Sequence, residues 1–234
     1  METLILGKGY VGSALSEALK DCGFTNRKKN NPGSIAFDLK NKTTWKNIPK
    51  VKNVVWTFPA TPVELVQEFY HERLSEVENL IVLGSTSRYV ITRQKERITE
   101  DTKIDKQILR VQGEEFLVEN GGTLLCLAGI YGPNRDPKNW LYKNLIKNPN
   151  KLVNLVHLDD IIYAIKHLLD NPAKNERFNL ADGNPKSWRE IGEKCDFHFR
   201  MPGERELSKV IISSKIKSRF PKDFKFKELF EAWE

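Results

Sequence analysis

The strongest constraint on this chain lies in its first nineteen residues. Thr3-Leu-Ile-Leu6 is a short apolar run that passes directly into Gly7-Lys-Gly9-Tyr-Val-Gly12. An amphipathic segment follows, with Val11, Ala14, Leu15, Ala18 and Leu19 on its apolar side. A strand, a G-x-G-x-x-G turn and a helix in immediate succession form the sequence pattern of a dinucleotide-binding βα unit. Gly7 permits the tight turn, Gly9 lets the backbone approach a pyrophosphate, and Gly12 lets the helix pack closely on the strand. The helix N-terminus then presents its unpaired amides to the anion. The bland alternative is a glycine-rich turn that binds nothing.

Over the first 130 residues apolar runs alternate with helical patterns. The expected strands are 3–6, 24–26, 35–37, 53–57, 79–83 and 122–127, and the expected helices are 11–21, 63–74 and 106–119. Strand connections of this length are crossovers, which are overwhelmingly right-handed, so a doubly wound parallel sheet follows. Beyond residue 130 the texture changes to polar loops carrying Pro133, Pro137 and Pro149. A helical run over 159–170 comes next, then short elements in which Ser187 is placed to cap a helix starting at Trp188.

Composition narrows the class. With 234 residues the chain can bury a full core. It shows neither a basic segment leading into a long apolar one nor an apolar run near the roughly 18 residues of a membrane span, so a cytoplasmic protein with no membrane partner is expected. Cys22, Cys126 and Cys195 are widely separated, which argues against a disulfide framework and gives no metal site. The net charge of +7 favours an anionic ligand. The basic residues are dispersed in short groups, so nucleic acid is not the expected partner. The aromatic-basic stretch Arg219-Phe-Pro-Lys-Asp-Phe-Lys-Phe-Lys227 reads either as a stacking surface or, from the alternation of Phe224 and Phe226, as a half-buried extended edge.

Four further segments stand in an order that resembles the extended and atypical short-chain dehydrogenase/reductases, the NAD-dependent epimerase/dehydratase group. Asp38-Leu39 follows the third apolar run, and Val82-Leu-Gly-Ser85-Thr-Ser-Arg-Tyr89 is similar to the family's strand-end serine motif. Ala128-Gly-Ile-Tyr-Gly-Pro133-Asn-Arg135 resembles its R-x-x-x-x-Y-G-P turn, with Cys126 at the arginine position. Val153-Asn-Leu-Val-His157-Leu-Asp-Asp160 resembles a later helix start, and Asn179-Leu-Ala-Asp-Gly183 a later strand. The resemblance implies a Rossmann-type sheet over residues 1–135, with a small C-terminal substrate cap over 136–234 that is interleaved with the core and does not fold independently. It also implies roles. Gly7, Gly9 and Gly12, with the amides of Tyr10 and Val11, would take the pyrophosphate, while Asp38, beside Leu39, would bind adenine. Ser85 would orient a substrate oxygen, and its bland alternative is a strand-end hydroxyl that caps local backbone. His157 and Asp160 would shape the cap's first helix.

Cofactor choice turns on the end of the second strand, where an acid accepts from a ribose 2′-hydroxyl and arginine accommodates a 2′-phosphate. Arg27-Lys28-Lys29 follows that strand without an acid, which favours NADP over NAD. Reductases of the family activate substrate with a Tyr-x-x-x-Lys pair, yet no tyrosine lies between Tyr89 and Tyr131. Lys106 and Arg110, or Gln107 and Val111, stand at the pair's positions; the first two would share a helix face able to hold a phosphate or carboxylate. Tyr131 and Tyr142 are substitute acids that the sequence leaves open. The reading is an NAD(P)-binding oxidoreductase, epimerase or dehydratase acting on a small anionic or nucleotide-linked metabolite, in a chain whose family often forms homodimers. The alternative is a non-catalytic redox sensor or scaffold.

Overall fold

The computed structural model describes residues 1–27, 33–143, 145–146, 148–199 and 206–233. In chain order the strands are β1 (Thr3–Leu6), β2 (Cys22–Asn26), β3 (Ile35–Ala36), β4 (Asn53–Trp56), β5 (Asn79–Ser85), β6 (Glu96–Ile98), β7 (Thr123–Leu127), β8 (Gly129–Tyr131), β9 (Leu152–Val153), β10 (Leu155–His157), β11 (Arg177–Leu180), β12 (Lys186–Ser187) and β13 (Lys209–Ile211). The helices are α1 (Tyr10–Ala18), α2 (Val63–Phe69), α3 (Leu109–Glu119), α4 (Pro137–Tyr142), α5 (Leu158–Asp170), α6 (Trp188–Glu193) and α7 (Ser214–Lys217). No helix among the described residues is long and apolar enough to cross a membrane.

Seven strands form one sheet in the order β11-β7-β5-β4-β1-β2-β3. The pairings of β1 with β2 and β4, of β2 with β3 and of β4 with β5 are all parallel. From β1 the chain runs outward through β2 and β3 on one side, then returns to build β4, β5 and β7 on the other. That reversal beside β1 is the topological switch point at which open α/β sheets bind ligands. The central strands are buried on both faces, which explains their continuous apolar runs: Leu4, Ile5, Leu6, Val54, Val55 and Trp56 have no exposed surface.

The chain divides into two compact units. The first comprises Met1–Arg88, Asp105–Cys126 and Ile162–Phe178, and the second Tyr89–Ile104, Leu127–Ile161 and Asn179–Glu234. The core of the first includes Leu4, Trp45, Trp56, Phe69, Leu117 and Cys126. The second is built from short pairings, β8 with β10, β9 with β12 and β6 with β13. Its own core is formed by Tyr131, Leu141, Leu155, Trp188, Ile191 and Leu229. Ser187 caps α6 through a full capping box with Glu190, as its position predicts.

Several expectations are corrected. The second strand begins at Cys22 rather than 24, because Thr3 and Leu4 pair with Cys22 and Gly23. The third helix begins at Leu109, with Ile108 in extended conformation before it. Lys106 therefore lies in a turn and shares no helix face with Arg110. Phe224 and Phe226 form no strand; with Phe220 they build a cluster of edge-on rings, with centroids 4.7 and 5.1 Å apart at its two closest contacts.

Candidate functional site

The three glycines of the first turn meet three different demands. Gly7 adopts φ +99°, a left-handed conformation, and a Cβ there would lie 2.9 Å from Thr57 Oγ1. Gly12 is crowded in another way, since its Cβ would stand 2.0 Å from the Gly7 carbonyl oxygen; the start of α1 lies directly on the turn. At Gly9 no atom lies within 4 Å of such a Cβ, so the backbone there faces open space. Gly9 is the N-cap of α1 and makes no side-chain capping hydrogen bond. Backbone amides at a helix N-terminus are groups with which an anion can pair.

Two threonines not singled out by the sequence hold this turn. Gly7 N–H donates to Thr25 Oγ1 at 2.9 Å, and Thr57 Oγ1 lies 2.8 Å from the carbonyl oxygens of both Leu6 and Gly7. Each follows from a strand end, at β2 and β4, on either side of β1. An isolated threonine at a strand end carries no motif. Lys8, within the turn, places its ammonium 3.8 Å from the centre of the Phe24 ring on β2.

Parallel register brings the other predicted residues to the same sheet edge. Asn26 pairs with Ala36, and Phe37 N–H donates to the Asn26 carbonyl at 3.0 Å. Arg27 and Asp38 thus stand just past the C-terminal ends of β2 and β3, as Gly7 stands past β1. Arg27 is exposed, Leu39 is buried, and Lys28 lies outside the described residues. Asp38 Oδ1 accepts from Lys40 N–H at 3.0 Å, and its own N–H donates to Thr44 Oγ1, so the carboxylate is fixed at the strand end by a local turn.

Ser85 ends β5. Its Oγ accepts from Ser87 N–H at 3.2 Å and lies 3.3 Å from Ser87 Oγ, the local turn of the bland reading. Arg110 Nη2 donates to Ser87 Oγ at 2.5 Å. Behind this turn is a buried ionic cluster. Arg88, fully buried, donates to Glu114 Oε2 at 3.1 Å and to Glu115, and places its Nη1 3.9 Å from Cys126 Sγ. A guanidinium therefore lies beside position 126 although residue 126 is cysteine. Arg177 clasps Glu115 through both Nε and Nη2, and Arg110 Nε lies 3.7 Å from Glu114 Oε1. Burial pushes the Glu114 carboxyl up, against the pull of Arg88 and Arg110. Burial acts in the same direction on Glu115, but hydrogen bonds and charge from Arg177 and Arg88 hold it below the usual range.

In the second unit the predicted residues have structural partners. Asp160 Oδ2 accepts from Lys227 N–H at 3.0 Å, and Tyr131 OH donates to the Lys227 carbonyl at 2.8 Å. His157 Nδ1 accepts from Asp159 N–H at 3.1 Å, and its ring stands edge-on to Tyr131. Together they tie the C-terminal segment to β8 and α5. Burial, reinforced by surrounding carboxylates, pushes the Tyr131 phenol up, and its proton is held on the Lys227 carbonyl. Tyr142 is exposed and donates to the Cys195 carbonyl at 3.1 Å. No group of acidic, histidine and cysteine side chains among the described residues could hold a metal ion.

No family profile matches the chain. The Escherichia coli K12 protein YeeZ is 28% identical over 146 residues, an alignment covering 54% of this chain and 52% of YeeZ. The chain thus matches about half the length of that curated relative. Among solved structures, a short-chain dehydrogenase/reductase superfamily protein from Agrobacterium tumefaciens with bound NAD superposes with a TM-score of 0.77 at 14% identity, covering 99% of this chain and 94% of that one. A dTDP-glucose 4,6-dehydratase from Bacillus anthracis in complex with NAD gives 0.74 at 16% identity, covering 99% and 93%. Sheet order, glycine turn and these superpositions agree: the chain has the fold of the short-chain dehydrogenase/reductase and NAD-dependent epimerase/dehydratase proteins.

Proposed function

We propose that this protein binds a nicotinamide dinucleotide at the C-terminal edge of its seven-stranded sheet and acts as an oxidoreductase, epimerase or dehydratase on a small anionic or nucleotide-linked metabolite. The observation that carries the reading is the contrast within one turn. The Cβ positions of Gly7 and Gly12 are closed by protein atoms, whereas that of Gly9 is open. Packing accounts for the glycines at 7 and 12 but not for Gly9, where a side chain would meet nothing. Gly9 with the amides of Tyr10 and Val11 would hold the pyrophosphate, and Asp38 and Leu39 the adenine. Arg27 and Lys28, past the end of β2, favour a 2′-phosphate and hence NADP.

When bound, the nicotinamide supplies the hydride-accepting and hydride-donating centre. The chain contributes binding and orientation. Thr25 and Thr57 fix the turn, and Ser85 and its neighbours at the end of β5 stand where a substrate oxygen would be positioned. The dinucleotide-bound Agrobacterium and Bacillus structures support this placement through their shared fold.

Calorimetric titration of nucleotide-stripped protein with NAD, NADH, NADP and NADPH tests the reading. Binding is expected to at least one redox pair, tighter for the 2′-phosphorylated forms, and Gly9→Asp should abolish it by placing a carboxylate at the anion site. Equal affinity of wild type and Gly9→Asp would remove the turn from the site. Equal affinity for NAD and NADP would remove the role given to Arg27.

A further inference from the structure

The hydrogen-bond directions at the end of β5 separate two serines that stand two residues apart. Ser85 Oγ accepts the Ser87 N–H and lies 3.3 Å from Ser87 Oγ, so it is engaged within the turn. Ser87 Oγ accepts, at 2.5 Å, from the Arg110 guanidinium. Ser87 is exposed, and with Arg110 donating to its oxygen the Ser87 hydroxyl can offer its proton to a ligand outside the turn. A hydroxyl that accepts from a cation is a strengthened donor.

Charge points the same way. Among the described residues Arg88, Arg110 and Arg177 are joined to two carboxylates, Glu114 and Glu115, so these five linked groups carry an excess of one positive charge when all are ionised. Arg88 is buried against both carboxylates, and Arg177 is bidentate on Glu115. Arg110 has the loosest hold: its Nε is 3.7 Å from Glu114 Oε1, beyond hydrogen-bond range. Glu114 Oε1 accordingly has no hydrogen-bond partner. The uncompensated charge resides at Arg110, a quarter exposed and beside the hydroxyl of Ser87.

We infer that Ser87 and Arg110 form an oxyanion subsite that holds a carboxylate or phosphate oxygen of the substrate. The assignment deepens the reading above and rests on it for the identity of the occupant. A guanidinium in a protein does not give up its proton, so the pair orients and stabilises negative charge and transfers no proton. The hydroxyl donor to the ligand is Ser87, and Ser85 is a positioning residue that holds the turn through the Ser87 N–H.

The test titrates inorganic phosphate and, separately, acetate into wild type, Gly9→Asp, Ser87→Ala, Arg110→Gln and Arg110→Lys, following arginine side-chain Nε–Hε signals and the backbone amide signals of residues 85–88 by NMR, which registers millimolar binding in every variant. Gly9→Asp closes the dinucleotide turn, so anion binding that persists there belongs to the second site. In that background the Arg110 signal is expected to shift saturably. Arg110→Gln should abolish binding, Ser87→Ala should weaken it about tenfold, and Arg110→Lys should retain part of it. Phosphate binding without acetate binding would identify the occupant as a phosphate, and the reverse a carboxylate. Thermal melts of each variant report folding. No saturable response to either anion in Gly9→Asp, or an unchanged response in folded Gly9→Asp/Arg110→Gln, overturns the subsite. Loss of dinucleotide binding in wild type with an intact Arg110 response would overturn the cofactor reading alone.

Discussion

Gly9 and Gly12 are three residues apart, and the same substitution has opposite meanings at the two. An alanine at Gly12 drives its methyl to 2.0 Å from a backbone oxygen, and neither α1 nor the turn can retreat without opening the sheet. Gly12→Ala is expected to cost about 2 to 4 kcal/mol by chemical denaturation. Gly9→Ala meets nothing and should cost under about 1 kcal/mol, mostly in capping, while weakening dinucleotide binding. A large stability loss at Gly9 would mean that its open space is filled in the working protein. A second test concerns Asp182, whose N–H donates to the Leu155 carbonyl and whose Oδ1 accepts from Asn184 N–H at 2.9 Å. Burial, with the charges of Glu228 and Asp160 adding, pushes its carboxyl from 3.8 up to about 7. The folded state therefore holds the proton more tightly than the unfolded chain. The resulting stabilisation is complete below about pH 4 and lost as pH rises through about 7. Asp182→Asn cannot ionise and still offers an oxygen to Asn184. Its melting temperature relative to wild type should rise steadily between those values and level off above them. A pH-independent difference would mean that Asp182 is already solvated.

At the scale of elements, α3 is fastened to the end of β5 by charge as well as by apolar contact. Arg88 projects from the short turn after β5 and reaches Glu114 and Glu115 on the helix. Replacing it with methionine leaves the Glu114 carboxylate buried with only the loose ion pair to Arg110, and should cost about 3 to 5 kcal/mol. Arg88→Met/Glu114→Gln should recover part of that loss in a double-mutant cycle; additive effects would show that the pair is not coupled. This fastening explains what the sequence does and does not disclose. Strands β1, β4, β5 and β7 are legible because they are buried on both faces and read as unbroken apolar runs. The glycine turn is legible because steric demands of backbone can be met by one residue type. Arg88, in contrast, looks like a solvated base beside Ser87, since the carboxylates that neutralise it lie 26 and 27 residues away. The sequence places the start of the helix at Lys106, with Ile108, Val111, Phe116 and Leu117 available to one side. The chain instead turns there, with Asp105 N–H donating to the Arg88 carbonyl and Asp105 Oδ1 accepting from Gln107 N–H. Strands of two or three residues, such as β8 to β10, are too short for any period to show.

For the molecule as a whole, chain order and spatial organisation part company. Residues 162–178 complete the first unit although β8, β9 and β10 separate them in sequence from β7. Their return is held by Thr123 Oγ1 on the Ala173 carbonyl at 2.6 Å, Leu124 N–H on the Glu176 carbonyl at 2.9 Å, and Asn79 Nδ2 on the Leu168 carbonyl at 3.1 Å. They also bring Ile165, Leu168 and Phe178, all essentially without exposed surface, and the Arg177 guanidinium that Glu115 requires. A fragment of residues 1–135 retains the glycine turn, every residue given a role in dinucleotide binding and six of the seven sheet strands. It ends before those groups. Without them β7, buried along its whole length, becomes an open edge, and an apolar edge strand without its neighbour invites association between copies. Burial of apolar surface is the largest favourable term in folding, and a unit that loses an edge strand and its part of α5 loses a sizeable share of it. The 1–135 fragment should therefore show no cooperative thermal transition, should aggregate as its concentration rises, and should bind dinucleotide far more weakly than the full chain. A sharp melt near the full-chain midpoint, with undiminished dinucleotide affinity, would show instead that the sheet closes its own core and that the returning segment is dispensable.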